Sequence, residues 1–287
     1  MKQKEIPRAA DRLAVLEKIA EYERAGKFDI DVEDDPESRV LLPDEIKYLN
    51  KGVCGAVKRE AAFFAAYAFL GIARMKKQVI LHRPLGVENL SQVKGGAIIT
   101  CNHFNPLDSF VMQRVFDASH HKKRMYRIIR EGNYTSFGGF YGFLMRHCNT
   151  LPLSSNMETM KKFLRAVSTA LEEGNCILIY PEQSMWWNYR KPKPMKSGAF
   201  DMAVKNRVPV VPCFITLQDS KYIGQDGFPV QEYTPHIGKA IYPDESLGRI
   251  AAREKLRDEN FAFFRKTYET VYGIPLTYTT EQCVIER

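Results

Sequence analysis

Four residues separate an imidazole from a carboxylate in Cys101-Asn102-His103-Phe104-Asn105-Pro106-Leu107-Asp108. A histidine with an ordinary pKa of about 6.5 takes a proton from a hydroxyl near neutral pH. A carboxylate on its other ring nitrogen fixes the tautomer and stabilises the imidazolium that forms. No serine or cysteine occupies a nucleophile elbow, so the hydroxyl to be activated belongs to a substrate. A bland reading of Asp108 stands beside this one. Asn105 as N-cap, Pro106 at the first helical position and Asp108 at the third make a good helix start, where an acid meets the helix dipole without doing chemistry.

A second constellation tips the balance toward chemistry. Tyr180-Pro181-Glu182-Gln183-Ser184 follows the apolar run CILIY, and WWNYRKPKPMKSG comes next. A carboxylate, an amide and a hydroxyl thus gather beside Arg190, Lys191, Lys193 and Lys196. The pattern reads either as a polar turn with a solvated basic edge or as an acceptor site, in which Glu182 holds a hydroxyl and the cations hold a phosphate. Trp186 and Trp187 fit equally as core or as interfacial anchors. Cys101, at the end of an apolar strand, reads as an inert thiol. His120-His121, in a run with Lys122, Lys123 and Arg124, reads as a solvated basic patch rather than a metal site.

The elements that must position these groups alternate. Strands are expected at Val79–Leu81, Ala97–Cys101, Met125–Ile129, Cys176–Tyr180 and Val208–Ile215. Between them, Met157–Glu173 places Met160, Leu164, Val167 and Leu171 on one helical face and stops at Gly174, and Ser197–Asn206 is a shorter helix. The alternation predicts an α/β fold, a mainly parallel sheet flanked by helices, with ligands beyond the carboxyl ends of the strands. His103 and Glu182 both sit just past a strand end and are expected to face one crevice. Helices are also expected over 8–25, over the apolar run 137–145 and at Arg249–Thr270, the last followed by a loosely patterned tail. The acidic stretch Asp29–Glu37 reads as a solvated linker. AAFFAAYAFLGIA (61–73), flanked by Lys58, Arg59, Arg74, Lys76 and Lys77, is too short to span a bilayer. It reads either as an interfacial helix or as a helix buried against the domain; the function argued next favours the membrane. The units expected are 1–77, an N-terminal helical, membrane-contacting segment; 78–245, the chemical domain; and 246–287, a C-terminal helix and tail.

These blocks resemble the glycerolipid acyltransferases typified by 1-acylglycerol-3-phosphate O-acyltransferase. Asn102-His103 with Asp108 is similar to that family's N-H-x4-D block, Tyr180 to Ser184 to its F-P-E-G-T/S block, and Val208-Pro209-Val210-Val211-Pro212 to its V-P-I-V-P block. The three occur in the family's order over roughly residues 80–245. The resemblance implies an acyl group moved from a thioester of coenzyme A or acyl carrier protein, used as co-substrate with no further cofactor, to a lysophospholipid hydroxyl in phospholipid biosynthesis. It makes His103 the base, Asp108 its orienting carboxylate, and Glu182, Gln183 and Ser184 acceptor-binding. The chain departs from the pattern at three places: an arginine slot holds Ser155, a second holds Met185, and the glycine of the F-P-E-G block is Gln183. Either Arg130, Arg146, Arg190 or Lys193 supplies the charge instead, or the acceptor lacks that phosphate. Arg146 reads equally as a surface cation ending helix 137–145. A different lysolipid or glycolipid acceptor, or a catalytically silent lipid-binding protein of the same fold, are the alternatives.

Composition bounds these readings. The 287 residues carry a net charge of +8, yet residues 1–50 hold nine Lys/Arg against thirteen Asp/Glu. The rest is strongly basic, which suits an anionic membrane surface, a phosphorylated substrate or nucleic acid. No recognition helix or aromatic-basic interleaving supports nucleic acid, and no G-x-G-x-x-G or Walker loop is present. Six cysteines without a C-x-x-C pair, and a start without an apolar signal core, point to a reducing setting. The expected location is the cytoplasmic face of a membrane, held peripherally or monotopically.

Overall fold

The computed structural model describes residues 6–34 and 37–280. Helices α1 (Ala10–Arg24) and α2 (Val53–Met75) precede β1 (Ile80–Leu81), α3 (Val87–Ser91), β2 (Ala97–Cys101), α4 (Asp108–Ala118) and β3 (Met125–Ile129). Next come α5 (Glu131–Thr135), α6 (Gly139–His147), β4 (Thr150–Pro152), α7 (Met157–Glu172), β5 (Cys176–Ile179) and α8 (Gly198–Asn206). The chain finishes with β6 (Val210–Ile223), β7 (Pro229–Ile237) and α9 (Arg249–Tyr272).

The strands form one seven-stranded sheet in the order β1-β7-β6-β2-β5-β3-β4. From β6 to β4 every pairing is parallel; β7 runs antiparallel to β6, and β1 is parallel to β7. The expected mainly parallel sheet is therefore observed. Its central strand β2 (AIITC) is buried throughout, as a strand covered on both faces must be. Successive side chains alternate between faces. Ala97, Ile99 and Cys101 join a core with Leu70 and Ala73 of α2 and Val111, Met112 and Val115 of α4. Ile98 joins the opposite core with Phe163 and Val167 of α7 and Phe200 and Ala203 of α8. Asn156 caps α7 by accepting from the Glu158 and Thr159 N–H groups at 3.0 and 3.1 Å, and Gly174, at φ +81°, takes the left-handed turn that ends it.

Three expectations change. Leu107, not Asn105, precedes the first residue of α4, which is Asp108; Asn105 instead holds the approach turn by accepting from the Leu107 N–H at 3.0 Å. The strand expected to end at Ile215 continues to Ile223 and returns as β7, a hairpin rising well beyond the end of β2. The acidic stretch is not a solvated linker. Phe28 and Val32 are buried against Trp186, and Leu41 is fully buried, so residues 28–34 form a strap over the 182–196 loop. Glu37 carries on this segment, while 35–36 lie outside the described residues, as do the last residues of the expected tail, 281–287. Up to Thr280 that tail packs back on the domain: the Tyr278 hydroxyl donates to the Pro192 carbonyl at 2.6 Å.

Helix α2 extends past the apolar run at both ends and has two apolar faces. Ala62, Ala66, Leu70 and Ala73 face the protein, while Val57, Phe64, Ile72 and Met75 are exposed. Among the described residues no helix is long and apolar enough to cross a membrane.

Candidate active site

Strand β2 ends at Cys101, and the next residue locks the turn. The Asn102 side chain donates to the Ile215 carbonyl at 3.0 Å and accepts from the Ile215 N–H at 2.8 Å. This side-chain pair extends the β2–β6 ladder by one rung and fixes the backbone from which His103 projects. The His103 N–H donates to Glu182 Oε2 at 3.2 Å, and its carbonyl accepts from the Trp186 N–H at 3.3 Å. Both constellations named by the sequence thus meet at one strand end.

His103 Nδ1 lies 2.6 Å from Asp108 Oδ2. Asp108 is 1% exposed, whereas the His103 side chain retains 23%, so the pair has a buried end and an open end. Nε2 has no protein partner among the described residues. With Nδ1 on the carboxylate, the ring presents Nε2 as the atom that takes a proton.

Tyr180 completes the arrangement. Its ring stacks on His103 with centroids 4.2 Å apart and planes 20° from parallel, and its hydroxyl donates to Asp108 Oδ1 at 2.8 Å. Both oxygens of the aspartate are therefore engaged. Burial, followed by the nearby Asp108 charge, pushes the Tyr180 hydroxyl well above its ordinary value, which keeps it a donor across the working pH range. The sequence reading quoted Tyr180 without a role; the hydroxyl where the family block has phenylalanine was the available signal.

The other expected site residues are placed differently. Glu182 is 2% exposed and faces inward. It accepts the His103 N–H on one oxygen and the Lys193 N–H, at 2.8 Å, on the other, so it ties the loop to the histidine's backbone instead of holding an acceptor hydroxyl. Ser184 is fully buried and donates to the Phe28 carbonyl. Lys193 is 1% exposed; its ammonium donates to the Ser184 carbonyl at 2.7 Å, sits over the Trp186 ring and lies 3.9 Å from Glu182. Burial pulls it down to about 8 and pushes Glu182 up. Neither Ser184 nor Lys193 can reach an acceptor without unmaking this packing. Arg146 donates to the Tyr134 and Phe137 carbonyls at 3.1 and 2.9 Å and closes the α5–α6 turn. Arg190 pairs with Asp219 at 2.6 Å and braces the β6–β7 hairpin. Gln183 stays at the surface with φ +64°, a conformation that suits the glycine of the family block, and its carbonyl accepts from Arg130 at 3.3 Å. Trp186 is core, fully buried, with its indole N–H on the Ile30 carbonyl at 2.8 Å.

Asp31 adds a link that the sequence reading missed. Its carboxylate accepts the Met185 N–H at 2.8 Å and pairs with Arg130. Arg127, on β3, is a second: a cation 6% exposed, donating to Ser109 Oγ at 2.9 Å, to Gln113 and to the Cys148 carbonyl, which fastens α4 to the sheet. Cys101 is buried, and burial raises its thiol well above the ordinary value, so it is no nucleophile.

Residues 84–216 match the acyltransferase family model. No curated protein matches the chain in sequence. Among solved structures the chain is similar to the 1-acyl-sn-glycerophosphate (LPA) acyltransferase PlsC from Thermotoga maritima, at 16% identity and a TM-score of 0.43, over 73% of this chain and 97% of that one. It is also similar to the pilus retraction motor PilT with bound ADP, at 13% identity and a TM-score of 0.31, over 69% and 63%.

Proposed function

Because the chain carries a domain of the acyltransferase family over residues 84–216, we propose that it moves a fatty acyl group from a thioester to a lysolipid hydroxyl at the His103–Asp108 pair. The observation that carries this reading is the open Nε2 on a ring held by Asp108 and Tyr180. Nε2 takes the acceptor's proton as its oxygen attacks the thioester carbonyl. Asp108 stabilises the imidazolium, the carbon–sulfur bond then breaks, and the ring returns the proton to the departing thiolate. Donor and acceptor are both bound during this step, so no acyl-enzyme forms. The thioester is that of coenzyme A or acyl carrier protein, and the first acceptor to test is 1-acylglycerol-3-phosphate.

A membrane is the natural source of the lysolipid acceptor. The exposed face of α2 carries Val57, Phe64, Ile72 and Met75 beside Lys58, Arg74 and Lys76, an apolar stripe with basic flanks suited to an anionic, cytoplasm-facing leaflet.

One observation favours a second reading of the acceptor. Lys193, Arg146 and Arg190 are each committed to protein partners, and Ser155 and Met185 replace the family's arginines, so an acceptor without a phosphate monoester fits better. Incubating the protein with a labelled long-chain acyl thioester and a panel of lysolipids tests the proposal. Thiol release coupled one-to-one to diacyl product is expected. Thiol release without any acceptor would make the protein a hydrolase, and neither release nor product would make it a silent lipid binder.

A further inference from the structure

A cavity of about 420 Å³ opens at the carboxyl ends of β3 and β4, on the edge of the sheet that carries His103. In the order β2-β5-β3, β3 lies two strands from β2, about 10 Å at the usual strand spacing. Arg130, on the cavity wall, donates to the Gln183 carbonyl, so the wall is continuous with the loop that bears Tyr180. The opening thus lies on the same carboxyl side of the sheet as His103 and within the span of a glycerol that carries a substituent beside the reacting hydroxyl.

The lining is poor in available positive charge. Arg130 pairs with Asp31. Glu131 is a second carboxylate; burial pushes it up, but the Leu41 N–H and the Ser154 and Ser155 donors outweigh that and hold it below its ordinary value. The lining thus holds one cation, already paired with Asp31 outside it, and one carboxylate, and a phosphate monoester, with a charge of about −1.5 to −2 near neutral pH, would meet no uncommitted positive charge. Ser155, where the resembling family has an arginine, lines the cavity with a small side chain that is itself hydrogen-bonded to Glu131.

What the lining does offer is neutral. The Asn133 amide and the Ser38 hydroxyl hydrogen-bond to no protein group among the described residues, and both line the cavity. Glu131 is held in place by four protein donors, the Leu41 and Ser155 N–H groups and the Ser154 and Ser155 side chains. Phe137 and Leu153 form an apolar side. A cavity lined by an aromatic ring together with an amide and a hydroxyl is complementary to a hydroxylated ring, whose C–H face is apolar and whose rim donates and accepts.

We propose that this cavity holds an uncharged, hydroxyl-rich ring as the acceptor's head group, which makes the acceptor a lysoglycolipid. The inference rests on the acyl-transfer reading of the His103 site and names its substrate class.

The full-length protein is assayed with palmitoyl coenzyme A against 1-acylglycerol, 1-acylglycerol-3-phosphate, 1-acyl-3-glucosylglycerol and free methyl glucoside. The glucosyl lipid should exceed both other lipids in kcat/KM by tenfold or more. Asn133→Leu should cut the glucosyl-to-acylglycerol ratio about tenfold, and Ser155→Arg should raise use of the phosphate acceptor relative to the glucosyl one. Methyl glucoside acylated as efficiently as the glucosyl lipid would overturn the inference, because its own hydroxyl, and so its ring, would then sit at Nε2 and not in the cavity. Equal or better use of 1-acylglycerol-3-phosphate by the unmodified protein, or ratios indifferent to Asn133→Leu, overturns the inference while leaving acyl transfer intact. Absence of transfer to every acceptor contradicts the acyl-transfer reading instead. Saturation-transfer NMR of methyl glucoside then decides the cavity alone: ring signals lost in Asn133→Leu support it, and no signal overturns it.

Discussion

Tyr180 sharpens what is otherwise a histidine–aspartate pair. Its hydroxyl draws on the charge that Asp108 offers the imidazolium, and its ring fixes the plane of His103. Tyr180→Phe keeps the stack and removes the hydrogen bond, which is worth about 1 kcal/mol or roughly a fivefold change in rate. Tyr180→Leu removes the stack as well and should lower kcat further. Glu182 predicts a different signature. Glu182→Gln places an amide N–H against one of two backbone donors and beside a buried ammonium. It should cost about 2–4 kcal/mol of stability, read as a lower urea midpoint, with activity lost in proportion to folding and not through KM for the acceptor.

Among the elements, the strap at 28–34 and helix α2 carry separate tasks. Phe28 and Ile30 lend carbonyls to Ser184 and Trp186, and Asp31 takes the Met185 N–H. Asp31→Ala should therefore lower kcat while leaving vesicle binding unchanged, and co-sedimentation beside the rate measurement separates the two. Phe64→Asp with Ile72→Asp should do the reverse, releasing the protein from anionic vesicles with turnover on a water-soluble acceptor retained. Glu23, on α1, accepts from Lys191 at 2.7 Å, the Tyr189 hydroxyl at 3.0 Å and the Thr279 N–H at 3.0 Å. Burial pushes its carboxyl up, but those partners outweigh burial and hold it below the ordinary value of 4.5. The folded state binds the proton less readily than the unfolded chain, so this contribution is complete above 4.5 and fades as pH falls through the lower folded value. Glu23→Gln should lower stability at pH 7 and flatten its further fall between pH 5 and 3, followed by urea midpoints. The elements with strong periodicity, β2, β5 and α7, were legible because burial on both sheet faces or one helical stripe writes a local pattern. The strap was not, because Asp29, Asp31 and Glu33 look solvated until the partners Lys196, Arg130 and Arg12, far along the chain, are brought to them. The inward orientation of Glu182 was hidden for the same reason: its motif is visible, but that orientation depends on two backbone N–H groups from separate segments.

At the scale of the molecule, the carboxyl ends of the central strands β2 and β5 gather the chemistry and a helix presents the apolar surface. The His103–Asp108 juxtaposition was readable from H-x4-D plus the second block, since both must follow adjacent parallel strands. The commitment of the basic residues was not, because counting Lys and Arg shows charge but not pairing. The exposed basic residues beside α2 are each worth about 1 kcal/mol at an anionic surface and are screened by salt. Vesicle binding should weaken from 0.1 to 1 M NaCl but persist in part through the apolar stripe. The most direct test of the whole account is single-variant turnover. Purified His103→Ala, matched to the unmodified protein in thermal midpoint, is assayed for acyl transfer from palmitoyl coenzyme A to the preferred lysolipid. A loss of about 10²–10⁴-fold in kcat with little change in acceptor binding is the result predicted; turnover at the unmodified rate would contradict a base at His103.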